Sequence, residues 1–201
     1  MILDIIICAV TGYLFGSLSG SIIVSKWMYN ADIREKGSGN AGLTNSIRIY
    51  GAPGALTTAT IDVLKTVAAL LIARHISPEW GIVAGGAGVV LGHAFPVFFR
   101  FKGGKSAVCT TVVGLFIDYR MVLIALGVFA AVLLITGIMS AATMSGMVTA
   151  AVSGALLHVG TAEVILVSAA AVFVIFMHRG NIKRILNGTE KRLIVWGGKK
   201  K

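Results

Sequence analysis

The sequence predicts an all-α, polytopic membrane bundle of about seven transmembrane helices, the fourth of them short, forming one integral-membrane domain over residues 1–201. Three observations predict it. The chain is 56% hydrophobic, with a mean hydropathy of +0.88 and only 13% charged residues, whereas an ordinary soluble domain carries about 25%. Seven apolar stretches, separated by polar segments, occupy most of its length. The bases, finally, fall almost entirely in alternate polar segments. This composition excludes a disordered chain and a disulfide scaffold; Cys8 and Cys109 both lie in apolar runs and read as small buried residues.

The apolar stretches run near 2–27, 53–74, 80–99, 107–118, 121–139, 143–158 and 161–177. A span needs roughly 20 apolar residues. The first stretch lacks a basic leader, which favours a retained span over a removable signal peptide. It places Gly12, Gly16 and Gly20 on one small face suited to close helix packing in lipid. Pro53 sits at the start of the second, where a first-turn proline belongs. The fourth, about a dozen residues at ~1.5 Å each, is too short to cross a ~30 Å core unaided. Asp62 and Lys65 lie three apart inside the second span, either a functional intramembrane pair or a mutually neutralising one.

Orientation follows from the bases. Segments 26–50, 100–105 and 178–201 hold fifteen of the eighteen, against Arg74 and Arg120 in the intervening connections. Seven crossings with the N-terminus outside put all three basic segments, and the C-terminus, in the cytoplasm; five crossings with two dipping segments keep the same parity. The formal net charge of +10 is thus a one-sided cationic surface, not a nucleic-acid footprint. Lys199–Lys201 read as a tail meeting anionic lipid.

The candidate chemistry lies in these three segments. The first contains Gly37-Ser38-Gly39-Asn40-Ala41-Gly42-Leu43-Thr44-Asn45, then Arg48. Its glycines let backbone N–H groups approach an anion, short polar side chains add donors, and arginine offers a cationic fork. The competing reading is a turn whose arginine meets lipid headgroups. The second contains Gly92-His93-Ala94-Phe95-Pro96 and Phe101-Lys102-Gly103-Gly104-Lys105-Ser106. A nucleotide-binding loop is rejected because Phe99 stands where that motif needs glycine. What remains is a Gly-Gly-Lys turn entering an apolar helix, an anion site or a basic juxtamembrane turn. His93 reads as a packing or hydrogen-bonding residue. The third runs from His178 to Glu190 and sets His178 and Asn181 three apart on one helical face. No histidine or cysteine pair has metal-ligand spacing, and the nearest approach to a His-x4-Asp acyltransferase pattern, His158 to Glu163, falls outside the three motifs. A small transporter of an organic phosphate, with Asp62 and Lys65 as its midplane site, is the rival reading.

In these motifs the chain resembles the PlsY family of bacterial acyl-phosphate:glycerol-3-phosphate acyltransferases. Gly37–Asn45 with Arg48 matches its first motif, Gly92–Pro96 with Phe101–Lys105 its second, and His178–Glu190 its third, in order along essentially the whole chain. Ser106 stands where the family usually has glycine, and Met139-Ser140-Ala141-Ala142-Thr143 replaces a serine-rich stretch, keeping hydroxyls at Ser140 and Thr143. The resemblance implies acyl transfer from acyl phosphate to the 1-hydroxyl of glycerol 3-phosphate, with membrane lipid as surroundings and no cofactor or metal. It places the enzyme in the bacterial inner membrane with its site on the cytoplasmic side. It implies that Arg48, Lys105 and the Gly103/Gly104 backbone bind phosphate. Ser38 and Asn181 would hydrogen-bond the reacting groups, and His178 would bind substrate or assist proton transfer. Gly39, Asn40, Gly42, Thr44, Asn45 and Thr143 complete the expected substrate contacts.

Overall fold

Each apolar stretch becomes a helix, and the helices break where glycine, serine or proline interrupts them. The structure, a computed structural model, describes residues Met1–Leu193; the reading of Lys199–Lys201 lies outside them. The chain divides into two compact units, Met1–Ile117 and the remainder from Asp118.

In the first unit, α1 (Ile2–Gly16) and α2 (Gly20–Tyr29) are separated by a break at Ser17–Ser19. A short 3-10 turn over Ile33–Glu35 leads to α3 (Leu43–Ile76), followed by α4 (Gly81–Ala94), a second 3-10 turn at Val97–Phe99, and α5 (Ala107–Ile117). Gly51 interrupts α3 with φ +65° and ψ −160°, a conformation that favours glycine. Pro53 therefore falls in the first turn of the longer segment, where its missing N–H costs nothing.

The glycine face of α1 packs backbone to backbone on α4. A Cβ at Gly12 would overlap the Gly85 carbonyl, and one at Gly16 would lie 2.5 Å from the Val89 carbonyl oxygen. The packing is mutual: Cβ atoms at Gly88 and Gly92 would overlap the carbonyls of Ala9 and Tyr13. Gly20 turns instead toward α3, where a Cβ would lie 2.7 Å from the Thr58 carbonyl oxygen. Small residues thus replace large ones at the helix contacts, as lipid-embedded interfaces require.

The second unit comprises α6 (Tyr119–Thr136), α7 (Met139–Leu156), α8 (Thr161–Met177) and α9 (Arg179–Leu186). Asp118 caps α6 by accepting from the Arg120 N–H at 2.8 Å. Gly137 ends it in the left-handed region, donating to the Leu133 carbonyl at 2.8 Å. α6 and α7 meet where Gly146 and Gly154 face Phe129 and Met121.

Burial is inverted relative to a water-soluble protein. Ile6, Leu64, Leu123 and Ile165 are well exposed, while Asp62 and Lys65 are 1% and 5% exposed. A surface of this kind suits hydrocarbon. Among the described residues, five segments are long and apolar enough to cross a bilayer: Ile2–Tyr29, Leu43–Ile76, Gly81–Phe99, Tyr119–Thr136 and Met139–Leu156. Thr161–Met177 with Arg179–Leu186, bent by 57°, makes a sixth. The expected short fourth element is α5, whose 11 residues rise far less than a bilayer core.

Candidate active site

The first motif is a loop closed by one buried side chain. Gly37 and Gly39 adopt φ values of +62° and +72°, and the chain then enters α3 with Gly42 as its cap. Thr44, Asn45 and Arg48 consequently belong to the first two turns of the helix, so the loop is shorter than the Gly37–Asn45 segment expected from sequence. Asn45 points inward. Its Oδ1 accepts from the Ser38 N–H at 3.0 Å, and its Nδ2 donates to the carbonyls of Lys36 (2.9 Å) and Ile33 (3.3 Å). Both amide hydrogens are engaged, so Asn45 braces the loop. A side chain at Gly37 would collide with the Asn45 carbonyl oxygen, and one at Gly42 would lie 2.8 Å from Asn40 Nδ2. Ser38 and Gly39 are exposed at the tip, Asn40 and Thr44 half-buried. Arg48 is half-buried and forms no ion pair among the described residues. The first-turn N–H groups of α3 point along its axis toward the loop, the polarity that favours an anion.

Behind this loop, Arg34 links the first motif to the second. It grips Asp32 with a 2.6 Å ion pair and donates to the Phe99 carbonyl at 2.8 Å. The Arg34 hydrogen bonds hold the Asp32 carboxyl below the usual carboxylate range, against the opposing effect of burial. Neither residue stood out in the sequence, because an Asp-x-Arg pair in a basic segment reads as surface charge.

The second motif folds back onto the end of α4. The Gly103 N–H donates to the Ala94 carbonyl at 3.1 Å and the Gly104 N–H to the His93 carbonyl at 3.0 Å. These two donors cap the C-terminus of α4. The glycines also serve close approach. A Cβ at Gly103 would overlap the His93 carbonyl, and one at Gly104 would overlap His93 Nε2 and lie 2.6 Å from the Ala41 carbonyl oxygen. The two motif loops therefore touch at Gly104. Lys105 follows, half-buried, and Ser106 adopts φ +61°. That conformation favours glycine. Serine keeps it while its buried hydroxyl donates to the Val90 carbonyl at 2.6 Å.

Beneath the second loop lies a buried charged group. Lys65 Nζ is 2.7 Å from Asp62 Oδ1 and donates to the carbonyls of Gly16 (3.0 Å) and Leu18 (2.7 Å). Asp62 accepts the Gly20 N–H at 3.2 Å. The pair thus satisfies backbone groups exposed by the α1–α2 break. These internal partners occupy the pair that a transporter would need as an open site.

In the second unit, His178 stands at the bend between α8 and α9, buried, with Nδ1 2.7 Å from the Val174 carbonyl oxygen. A carbonyl can only accept, so Nδ1 carries the proton and, in the neutral ring, Nε2 carries the lone pair. Asn181 Nδ2 donates to Glu190 Oε1 at 2.6 Å. The same oxygen accepts from Ser140 Oγ at 2.9 Å, and Oε2 accepts from Arg184 Nε at 2.6 Å. Burial pushes the Glu190 carboxyl up, but the three donors together hold it below its ordinary value. Glu190 ties α9 to the start of α7. Thr143, one turn along α7, is buried and donates to the Met139 carbonyl at 2.9 Å, which leaves its oxygen as an acceptor.

Such a fold, with cationic and polar motifs carried on apolar helices, defines a multi-pass membrane protein. The chain matches the family model described as "Glycerol-3-phosphate acyltransferase" over residues 6–188. It is 37% identical over 188 residues to the glycerol-3-phosphate acyltransferase of Thermoanaerobacter sp. (strain X514), covering 94% of this chain and 95% of that one. With a Thermus thermophilus protein of the same name it shares 38% identity over 182 residues, covering 90% and 91%. Its structure resembles that of PlsY (YgiH), an integral membrane glycerol 3-phosphate acyltransferase, in the glycerol 3-phosphate form. The TM-score is 0.86 at 28% identity, covering 94% of each chain. The lysophosphatidic acid form gives a TM-score of 0.84 at 27% identity, again covering 94% of each. The chain belongs to the glycerol-3-phosphate acyltransferase family of PlsY.

Proposed function

We propose that this protein transfers a fatty acyl group from acyl phosphate to the 1-hydroxyl of glycerol 3-phosphate, releasing lysophosphatidic acid and inorganic phosphate. The observation that carries the reading is the family match over residues 6–188, which contains the first two motifs whole and all but the last two residues of the third. The hydroxyl oxygen attacks the acyl carbon and the bond from that carbon to the phosphate oxygen breaks. The leaving phosphate takes the hydroxyl proton and departs as hydrogen phosphate.

In this reading Arg48 and Lys105 bind phosphate, with the α3 N-terminus, Gly39, Asn40, Gly42 and Thr44 shaping the first loop around it. Asn45, Gly103 and Gly104 act by holding loop geometry. Ser38 and Asn181 hydrogen-bond the reacting groups, Thr143 accepts from substrate, and His178 offers Nε2 to a substrate proton. The protein works in the bacterial inner membrane with its motifs on the cytoplasmic side, where the soluble acceptor and the amphiphilic donor meet.

The test is to incubate purified protein with acyl phosphate and glycerol 3-phosphate and measure inorganic phosphate and lysophosphatidic acid. Stoichiometric appearance of both is expected. Product from acyl-CoA instead, or from neither donor, refutes the reading. Near-normal turnover by His178→Gln would remove that residue from the chemistry.

A further inference from the structure

Among the buried groups, the Asp62–Lys65–His93 cluster is the one that no step above employs. Lys65 Nζ lies within 3.0 Å of Asp62 Oδ1, the Gly16 and Leu18 carbonyls, and His93 Nδ1 (2.9 Å), and Asp62 Oδ1 is 3.5 Å from the same ring nitrogen. Nδ1 thus faces the ion pair, and Nε2 is the opposite edge of the ring. That edge of the ring lies against Gly104, whose missing side chain would overlap Nε2 and approach Cδ2 to 2.9 Å. The main chain of the same histidine holds the Gly104 N–H at 3.0 Å. On the other side of Gly104 stands the Ala41 carbonyl of the first motif.

We infer that His93, oriented by Lys65 and Asp62, is a positioning residue: its ring is the floor on which the Gly103–Gly104–Lys105 loop is set against the first motif. The inference rests on the reading above that this loop presents Lys105 to a substrate phosphate. A purely structural cluster would explain the backbone contacts of Lys65 and the hydrogen bond between His93 and Cys109, but leaves the seating of Gly104 on the ring without a role.

The two edges of the imidazole can be tested separately. His93→Asn retains an acceptor near the Nδ1 position and removes the floor. His93→Gln retains polar bulk near Nε2 and removes the Lys65 acceptor. The assays are glycerol 3-phosphate binding by calorimetry, thermal unfolding, and turnover with acyl phosphate. For His93→Asn, we expect wild-type melting, affinity weakened about tenfold, the energy scale of one well-placed hydrogen bond, and a matching rise in KM with kcat held within about twofold. His93→Gln should show the reverse, lower melting with affinity retained. Gly104→Ala, whose Cβ would press on the Nε2 edge of the ring and on the Ala41 carbonyl, should reproduce the affinity loss. Wild-type affinity in either His93→Asn or Gly104→Ala overturns the inference, as does a parallel fall of melting and affinity in both histidine variants. Wild-type protein that binds glycerol 3-phosphate but does not acylate it would sink the proposed function and leave the positioning role standing. Wild-type protein that binds neither glycerol 3-phosphate nor inorganic phosphate would sink both.

Discussion

Replacing Gly12 by alanine tests the packing that holds α4, and with it the second motif, in place. An alanine Cβ there would lie 2.9 Å from the Gly85 carbonyl carbon and 3.0 Å from its Cα, and would overlap the carbonyl oxygen beside them. Carbon atoms in good contact are about 3.5–4.0 Å apart, so α1 and α4 must part by about 0.5–1 Å. Nothing nearby can yield more cheaply, because the obstacle is main chain. Overpacking of this kind costs about 1–3 kcal/mol, while alanine returns up to about 1 kcal/mol in helix propensity. Gly127 supplies the control: it lies inside α6 with no atom within 4 Å of a built Cβ, so Gly127→Ala gains propensity without the clash. The difference between the two variants isolates the steric cost. At roughly 2–4 °C per kcal/mol for a chain of this length, Gly12→Ala should melt several degrees below Gly127→Ala. The assay is thermal unfolding by circular dichroism in one detergent. A Gly12→Ala protein melting at or above Gly127→Ala would refute the backbone-contact account of the α1–α4 interface.

Two further outcomes are expected. Ser106→Gly relieves a left-handed conformation costing about 1–2 kcal/mol and loses a hydrogen bond worth about 0.5–1.5 kcal/mol, so its melting should stay near wild type. Ser106→Ala keeps the strain and loses the bond, so it should fall by about 1 kcal/mol; alanine equal to or better than glycine would contradict the assigned φ. Glu190 is held below its ordinary pKa in the folded state, so its contribution is present above the unfolded carboxyl value of about 4.3 and is lost as pH falls through the lower folded value. The melting gap between wild type and Glu190→Gln should therefore be open at about pH 6 and close toward about pH 3. A gap independent of pH would show that the charge of Glu190 is not what ties α9 to α7.

Much of the fold was legible because its signals are local. The Gly12–Gly16–Gly20 spacing announces a close helix contact, and Pro53 announces a helix start, which Gly51 makes possible by breaking α3 just before it. The partners of those signals were not legible. Nothing in a glycine row says that Gly85, Gly88 and Gly92 answer it, since pairing is a property of two helices. The site divides in the same way. Residue types at Ser38, Arg48, Lys105, His178 and Asn181 are visible as motifs. Whether a polar group faces outward or inward depends on what surrounds it. Asn45 and the Gly103/Gly104 N–H groups look like donors for a ligand in the sequence, yet in the fold they satisfy the carbonyls of Ile33, Lys36, Ala94 and His93. Arg34 went unnoticed for the complementary reason, since its partner Phe99 lies far away along the chain; His93 was legible as a packing or hydrogen-bonding residue, but its partner Lys65 was not.

The Asp62–Lys65 pair also bears on how the protein is assembled in the membrane. A single charge at the centre of an inserting helix costs about 2.5–3.5 kcal/mol on translocon scales. Here both charges sit one turn apart on α3, so their ion pair needs no second helix and can form as the segment emerges. The helix then enters lipid already neutral at that level. The carbonyls at the α1–α2 break and the His93 ring can be recruited afterwards, as neighbouring helices arrive. A pair placed on two different helices would have to cross unpaired, with each span bearing its own charge until the other came.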